Sequence, residues 1–427
     1  MTEMTKMETT PLPYEPPVDG KSRVPKPAHV PDNLVRDIDM YALDGIGAGY
    51  HEAWKAIEKE TVPEMVWTPQ TGGHWIAMRG EIVKEIYERP DLFSSEVIFL
   101  PKEAGEKYAM VPTRMDPPEH TPYRRLLDSA LNPSRIREVE ALVRDAAIDL
   151  IEPMVARGEC MFDLEYAKVF PVRVFMALAD LPMDDVPMLA KFADDMTRPQ
   201  GNTPEEMAKC LDEANQGFFA YVKPIIEARK GGSGKDLITV LVNGKIDGED
   251  MPEDKALGLI SLLLLGGLDT VVNFLSFMML YLARHPDKVA EVVHDELKLR
   301  RGVEELFRRF PVVSEARMVA KDQTYRGIEL KRGDMVLLPT VLAGLDEDKN
   351  PDPWDLKWDR KGLDHAMFGG GPHRCAGLHL ARLEATVTVQ EWIKRIPEFK
   401  LAEGAKPVYH SGIVAAVEGV PIVWNAS

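Results

Sequence analysis

The chain has 427 residues, of which 45% are hydrophobic and 28% are charged, an ordinary composition for a soluble globular protein with a large core. Its 69 acidic residues against 52 lysines and arginines give a net charge of −17, which argues against nucleic acid or an anionic membrane surface as the general partner. The three cysteines, Cys160, Cys210 and Cys375, are an odd and sparse set, which favours a reducing compartment and predicts a cytoplasmic protein.

The first forty residues are polar and repeatedly interrupted by proline, and they contain no apolar segment of the kind that forms a signal peptide. We expect residues 1–40 to form an extended arm whose start is disordered. Because no linker divides the remaining sequence, residues 41–427 are predicted to form a single domain.

Helical spacing of apolar residues dominates the rest of the chain, and short apolar runs favour a few strands. The segment 94–108 is predicted to be a long loop, and long ordered loops often form walls of binding sites. The predicted helices are His51–Glu60, Gly80–Glu88, a helix after Met115 with Asp116 as its N-cap, Arg135–Ala156, Pro182–Thr197 and Thr203–Lys230, and the predicted strands lie around His74–Met78, Tyr325–Leu330 and Met335–Leu338.

The segment Leu257–Ala283 is almost wholly apolar and would pass for a membrane span by hydropathy alone. Asp269 at its centre, and the lack of a basic flank on one side, instead favour a helix buried in a large soluble core. Gly266 and Gly267 each weaken such a helix by roughly 1 kcal/mol, a cost that is understandable if a bulky group lies against the backbone there. Asp269 and Thr270 are then either functional groups or a satisfied buried polar pair.

The segment Phe368–Gly377 is a glycine-rich loop that places Cys375 just before a predicted helix from Leu378 to Trp392. The three glycines at 369–371 can take positive φ and allow close approach to a large flat ligand. A helix N-terminus stabilises a thiolate, which acts as a nucleophile or a metal ligand. From residue type alone, Cys375 could also be a core hydrophobe, a zinc ligand beside nearby histidines, or a redox or acyl-transfer cysteine.

The string Phe-Gly-x-Gly-x-His-x-Cys-x-Gly at 368–377 resembles the haem-thiolate signature of the cytochromes P450. The resemblance implies a mainly α fold with a small antiparallel β region, in which haem b lies between the long central helix and the helix after the cysteine loop. It also implies that Cys375 is the axial ligand of the haem iron. The implied activity is that of a monooxygenase, which inserts one atom of dioxygen into a C–H bond and reduces the other to water.

Further positions match family motifs in the family's order. The resemblance implies that Asp269 and Thr270 are the acid–alcohol pair that supplies protons to bound dioxygen. It assigns haem contacts to Gly266, Gly267 and Phe368, propionate contacts to His120, Arg124, Arg317 and His373, and a structural ion-pair network to Glu305, Arg308 and Arg360.

The segment Leu264–Phe277 is similar to the corresponding string of camphor-hydroxylating bacterial members of the family. The implied substrate is camphor, hydroxylated at its 5-position; another monoterpenoid or norisoprenoid, a peroxide-driven haem enzyme and a non-catalytic haem sensor are the alternatives. Met110 departs from the phenylalanine of the camphor enzymes, which implies a more adaptable pocket. The implied substrate pocket is Phe99, Tyr108, Leu262, Leu265, Val313, Ile413 and Val414, and the implied potassium-binding loop contains Glu96, Gly105, Glu106 and Tyr108.

The resemblance also implies a two-iron ferredoxin, reduced by a flavoprotein reductase, as the electron donor, because the chain has no segment that would form a fused reductase. A basic patch of Lys84, Arg124, Arg125 and Arg374 is expected to receive the acidic ferredoxin. The protein is expected to be a monomer that binds neither membranes nor nucleic acid.

Overall fold

Helices are the dominant secondary structure in a computed structural model, which describes residues 23–102, 110–197 and 204–426. The predicted class, mainly α with a small β region, is therefore correct. The helices are α1 (Tyr50–Glu60), α2 (Gly80–Tyr87), α3 (His120–Ala130), α4 (Pro133–Glu138), α5 (Glu140–Val155), α6 (Phe170–Leu178), α7 (Val186–Thr197), α8 (Pro204–Arg229), α9 (Leu237–Val242), α10 (Glu253–Arg284), α11 (Pro286–Ala290), α12 (Glu296–Arg309), α13 (Val341–Gly344) and α14 (Leu378–Arg395).

The strands form small sheets at the edge of the helical body. The largest sheet has the strand order Met65–Thr68, His74–Ala77, Met335–Pro339, Ser314–Val319 and Phe93–Ser94; the second and third of these are parallel, and the other neighbours are antiparallel. A three-stranded sheet and three two-stranded hairpins complete the described β structure. The strands are β1 (Met65–Thr68), β2 (His74–Ala77), β3 (Phe93–Ser94), β4 (Glu159–Met161), β5 (Lys245–Ile246), β6 (Glu249–Asp250), β7 (Ser314–Val319), β8 (Gln323–Tyr325), β9 (Ile328–Leu330), β10 (Met335–Pro339), β11 (Phe399–Leu401), β12 (Val408–His410), β13 (Ala416–Glu418) and β14 (Pro421–Trp424).

Helix α10 runs through the centre of the structure and packs against α6, α7, α9 and β13. Among the described residues it is the one helix long and apolar enough to cross a membrane by length and composition. Every residue from 271 to 280 is buried by protein, however, and the preceding turns line a cavity. The helix is therefore a core helix, because its apolar surface is covered within the fold.

Two predicted helix starts are wrong. Helix α3 begins at His120, and Asp116 does not cap it; the Asp116 carboxylate instead accepts a hydrogen bond from the backbone N–H of Ser95 at 2.9 Å. The predicted helix Arg135–Ala156 is divided into α4 and α5, and the side chain of Asn132 caps α4. These differences follow from tertiary contacts and caps that override the apolar spacing.

The described part of the N-terminal arm packs on the largest sheet. The backbone N–H of Val24 donates to the carbonyl of Pro69 at 2.9 Å, and that of Arg36 donates to the carbonyl of Trp67 at 2.8 Å. The boundary at residue 40 between the arm and the domain stays a prediction.

Candidate active site

A cavity of about 1550 Å³ lies between helix α10 and the cysteine loop. Thr270 on α10, and Phe368 and Cys375 on the loop, all line this cavity. Pockets for a single small ligand usually have volumes of roughly 300–1,000 Å³. The larger volume observed here has room for a cofactor and a substrate side by side.

The cysteine loop holds its backbone by an internal hydrogen bond, in which the N–H of Cys375 donates to the carbonyl of Phe368 at 2.9 Å. Helix α14 begins three residues later, at Leu378, as the spacing predicted. The cavity reaches Cys375, and the thiol therefore faces the space where a ligand would lie.

The glycines of the loop serve its packing against helix α2 as well as access to the cavity. Gly369 and Gly371 take positive φ values of 63° and 58°, whereas Gly370 is extended. A Cβ on Gly371 would lie 2.3 Å from the carbonyl oxygen of Tyr87. The loop is pressed against the end of α2, and only glycine fits at this position.

Burial raises the pKa of the Cys375 thiol, although the backbone N–H of Gly377 and the charge of Arg124 favour the thiolate. The backbone N–H of Gly377, at the start of α14, acts in the direction predicted for a helix N-terminus, but desolvation is the larger effect. A metal cation beside the sulfur would supply positive charge that stabilises the thiolate.

Basic side chains gather at one end of the cavity. The rings of His120 and His373 have centroids 4.3 Å apart, and Arg124 donates from Nη1 to the carbonyl of Pro372 at 3.2 Å. Burial and the charges of Arg317, His120 and Arg124 lower the pKa of His373 to about 3. Nε2 of His373 is buried without a hydrogen-bond partner among the described residues.

An unsatisfied nitrogen beside arginine side chains is a site for anionic oxygen atoms. The two propionates of haem b carry such atoms, so this end of the cavity fits the edge of that cofactor. Arg317 contributes its charge from β7, but it does not line the cavity. Its Nη1 donates to the carbonyl of Ala316 at 2.8 Å, and its guanidinium carbon lies 4.9 Å from the centre of the Tyr87 ring.

On the opposite wall, α10 presents a hydroxyl and a carboxylate to the cavity. Oγ1 of Thr270 donates to the carbonyl of Gly266 at 2.8 Å, and Nδ2 of Asn273 donates to Oδ1 of Asp269 at 2.9 Å. A Cβ on Gly266 or Gly267 would meet no protein atom within 4 Å. The two glycines therefore widen the cavity beside Thr270.

The apolar residues predicted to contact substrate meet in the same cavity. A β-bridge joins Val313 to Val414, and the N–H of Ser314 donates to the carbonyl of Ile413 at 2.8 Å, which holds these two segments together. Sequence reasoning missed the walls from α3 and α6, because their apolar residues carry no motif. The predicted residues that line the cavity are Phe99, Leu262, Leu265, Val313, Ile413 and Val414, and the missed ones include Leu127, Val174, Phe175 and Leu178.

Tyr108, Gly105 and Glu106 lie outside the described residues. Glu96, the remaining member of the predicted potassium loop, is described, and its carbonyl accepts a hydrogen bond from Nε of Arg114 at 2.6 Å. This carbonyl already has a cationic donor. The potassium site stays a prediction.

Glu305, Arg308 and Arg360 meet in a buried ion-pair network. The Glu305 carboxylate accepts from Nε and Nη2 of Arg308 at 2.6 and 2.9 Å, and from Nε of Arg360 at 2.9 and 3.0 Å. Arg308 also donates to the carbonyl of Gly344 at 2.7 Å. The network therefore joins α12 to α13 and to the segment that precedes the cysteine loop.

A second ion-pair cluster near the loop was not expected from the sequence. Glu304 accepts two hydrogen bonds from Arg382 and lies 3.0 Å from Nε2 of His365. The partners lie 78 and 61 residues away in the chain, and no local spacing signals the contact.

The cytochrome P450 family model matches residues 184–408. The chain is 29% identical over 409 residues to a probable cytochrome P450 127A1 of Sinorhizobium fredii, and the match covers 94% of this chain and 97% of the relative. It is also 29% identical over 350 residues to a steroid C26-monooxygenase of Mycolicibacterium smegmatis, with coverage of 81% and 86%. The crystal structure of CYP101J2 is 39% identical, with a TM-score of 0.88, over 94% of this chain and 100% of that chain. The chain therefore belongs to the cytochrome P450 family, whose cofactor is haem b.

Proposed function

We propose that this cytochrome P450 monooxygenase hydroxylates an unactivated C–H bond of a small terpenoid, and that camphor, hydroxylated at its 5-position, is the substrate. The observation that carries the proposal is the wall of the cavity. Six apolar side chains of the predicted pocket line the same cavity as Thr270 and Cys375, and such a wall suits a compact hydrocarbon body.

In this proposal Cys375 is the axial ligand of the haem iron, and His120, Arg124, Arg317 and His373 neutralise the propionates. Burial, followed by the charges of Arg317, His120 and Arg124, lowers the pKa of His373, and those charges would favour an anionic group there. Haem b, when bound, activates dioxygen, and a thiolate ligand favours cleavage of the O–O bond.

Two side chains of α10 are placed to deliver protons to the cavity. Thr270 holds its hydroxyl proton toward the carbonyl of Gly266, and rotation about one side-chain bond would aim the same proton into the cavity. Asp269 is the carboxylate next to it, and the amide of Asn273 fixes one of its oxygens. We therefore assign proton donation to Thr270 and proton relay to Asp269.

The assignment of Thr270 is tested by Thr270→Ala with a reconstituted electron-transfer chain. The yield of hydroxylated product per NADH should fall at least about tenfold. Ser276→Ala is the matched control, because Ser276 makes the same hydrogen bond to the residue four positions earlier on α10 but does not line the cavity. An unchanged product yield in Thr270→Ala would refute the assignment. It would also favour the peroxide-driven alternative.

We also propose a two-iron ferredoxin with a flavoprotein reductase as the electron donor. Two members of the expected basic patch are engaged: Lys84 pairs with Asp364 at 2.5 Å and Arg124 with Asp128 at 2.8 Å. The other two, Arg125 and Arg374, are exposed and have no ion pair within the described ranges. These two cations are available to acidic groups of a partner. Arg374→Ala should slow the first electron transfer and weaken its dependence on salt, and unchanged kinetics would remove it from the interface.

Camphor is tested by its effect on the haem spin state and by its products. Val313→Phe, which fills the cavity wall, should weaken camphor binding at least about tenfold, whereas Val408→Phe on an exposed strand should not. Tyr108→Phe, at a residue outside the described ranges, should spread the products over several ring positions. If camphor causes no spin-state shift in the wild-type protein, the assignment of camphor as substrate is wrong, but the assignment of monooxygenase activity is unaffected.

A longer substrate is the second candidate. The lining of the cavity also includes Tyr41 and Ser411, which lie outside the predicted substrate pocket. A steroid C26-monooxygenase is among the relatives of this chain. Titration with a set of terpenoids and steroids of increasing length separates the two candidates by affinity.

A further inference from the structure

Glu304 and Arg382 form a two-point ion pair beside the cysteine loop. Oε2 of Glu304 accepts from Nε of Arg382 and Oε1 accepts from Nη2, both at 2.6 Å. His365 adds a third contact to Oε1 at 3.0 Å. Two parallel hydrogen bonds fix the plane of a guanidinium group, so Arg382 has one defined position.

That position lies against the loop itself. The guanidinium carbon of Arg382 is 5.1 Å from the centre of the Phe368 ring, and the carbonyl of Phe368 accepts the N–H of Cys375. Phe307 also packs against the same ring, with centroids 4.9 Å apart. The charge of Arg382 also favours the thiolate form of Cys375. Arg382 therefore contacts the residue whose carbonyl binds the Cys375 N–H, and its charge favours the thiolate form of Cys375.

We propose that Arg382 is a positioning residue that holds positive charge at the cysteine loop and raises the reduction potential of the haem iron, and that Glu304 attenuates this effect. The inference rests on the proposed assignment of Cys375 as the iron ligand. Reduction of the ferric protein adds one electron, and the added negative charge is stabilised by a nearby cation and destabilised by a nearby anion. The two members of the pair should therefore act with opposite signs.

The test is a spectroelectrochemical titration of the haem-loaded protein without substrate. Arg382→Gln removes the positive charge of the guanidinium, leaves His365 as the remaining partner of the Glu304 carboxylate, and should lower the reduction potential. Glu304→Gln releases the full charge of Arg382 and should raise it. We expect each change to alter the reduction equilibrium by up to about tenfold, which corresponds to ~59 mV for one electron. The double variant should return close to the wild-type potential.

Two further variants separate charge from general damage. Arg382→Lys keeps the positive charge and should keep a potential closer to wild type than Arg382→Gln does. Lys394→Gln is the matched control, because it removes one exposed positive charge from the same helix about 18 Å away along the helix axis. Its potential should not change.

Shifts of the same sign in Arg382→Gln and Glu304→Gln, or shifts no larger than that of Lys394→Gln, would overturn the inference. If Arg382→Gln fails to retain haem, the sign of the potential shift in Glu304→Gln and the reduction potential of Arg382→Lys still test the inference. Failure of the proposed function looks different, because the reduced wild-type protein would then lack the spectrum of a thiolate-ligated haem with carbon monoxide.

Discussion

Replacement of Glu305 by glutamine should destabilise the protein strongly. The side chains of Glu305 and Arg308 are 1% and 0% exposed, and that of Arg360 is 6% exposed. Glu305→Gln keeps the shape of the side chain but removes the negative charge that the two arginines share. Both guanidinium groups would then be buried without a counter-charge, although each keeps hydrogen bonds to backbone carbonyls.

The size of the loss follows from the burial of the network. Breaking a buried ion pair by removing one partner costs about 3–5 kcal/mol, because the remaining charge is uncompensated. Native proteins are typically stable by about 5–15 kcal/mol, so the loss would be a large fraction of the total. Glu227→Gln is the matched control: Glu227 pairs with Lys230 at the same i,i+3 spacing and 2.6 Å, but the side chains are 50% and 42% exposed. Water screens that pair, so its removal should have little effect.

The assay is urea unfolding of both variants at equal haem loading, followed by circular dichroism. We expect the urea concentration at the unfolding midpoint of Glu305→Gln to fall well below that of the wild type. The midpoint of Glu227→Gln should equal that of the wild type. Haem should also dissociate faster from Glu305→Gln, since the network holds the segment before the cysteine loop. A loss of less than about 1 kcal/mol in Glu305→Gln would refute the structural role of the network.

Three further changes test other parts of the structure. Gly371→Ala should reduce haem retention because its Cβ would strike the Tyr87 carbonyl, whereas Gly404→Ala, also at positive φ but in open space, should not; equal retention would refute the close approach. Burial opposes ionisation of Glu304, but hydrogen bonds from its partners hold its pKa at about 2, below the usual 4.5. The ionised Glu304 carboxylate stabilises the folded protein by at most about 3 kcal/mol, and this contribution is present above pH 4.5 and is lost as the pH falls to about 2. The difference in unfolding free energy between wild type and Glu304→Gln should therefore disappear over that pH window. Replacing potassium by N-methylglucamine should weaken camphor binding if the carbonyls of the loop 96–108 hold the ion, and an unchanged affinity would exclude the site.

Local patterns in the sequence predicted the elements that position the site. The long apolar run with Asp269 at its centre predicted the core helix, and Phe368–Gly377 with the helix after it predicted the cysteine loop. Glu305 and Arg308 are three residues apart on one helix, so their pairing follows from helical geometry. Short-range spacing is sufficient wherever the contact lies within one element or one loop.

Long-range contacts were beyond the reach of such patterns. Glycine is required at position 371 because a Cβ there would meet the carbonyl of Tyr87, which belongs to a helix nearly three hundred residues earlier. The sequence alone indicated only that the glycines allow a ligand to approach. Nothing in the local sequence distinguishes Glu304 from an exposed helix residue, because its partner Arg382 lies on another helix. Desolvation of the Cys375 thiol depends on the whole fold, whereas the helix N-terminus that the sequence predicted is a local feature.

The central claim is that Cys375 ligates the haem iron, and the spectrum of the reduced, haem-loaded protein with carbon monoxide tests it most directly. The wild-type protein should show the red-shifted Soret band of a thiolate-ligated haem. Cys375→Ser should lose that band, and Cys160→Ser, at a cysteine buried elsewhere in the core, should keep it. A wild-type protein without the red shift, or a Cys375→Ser variant that retains it, would contradict the assignment.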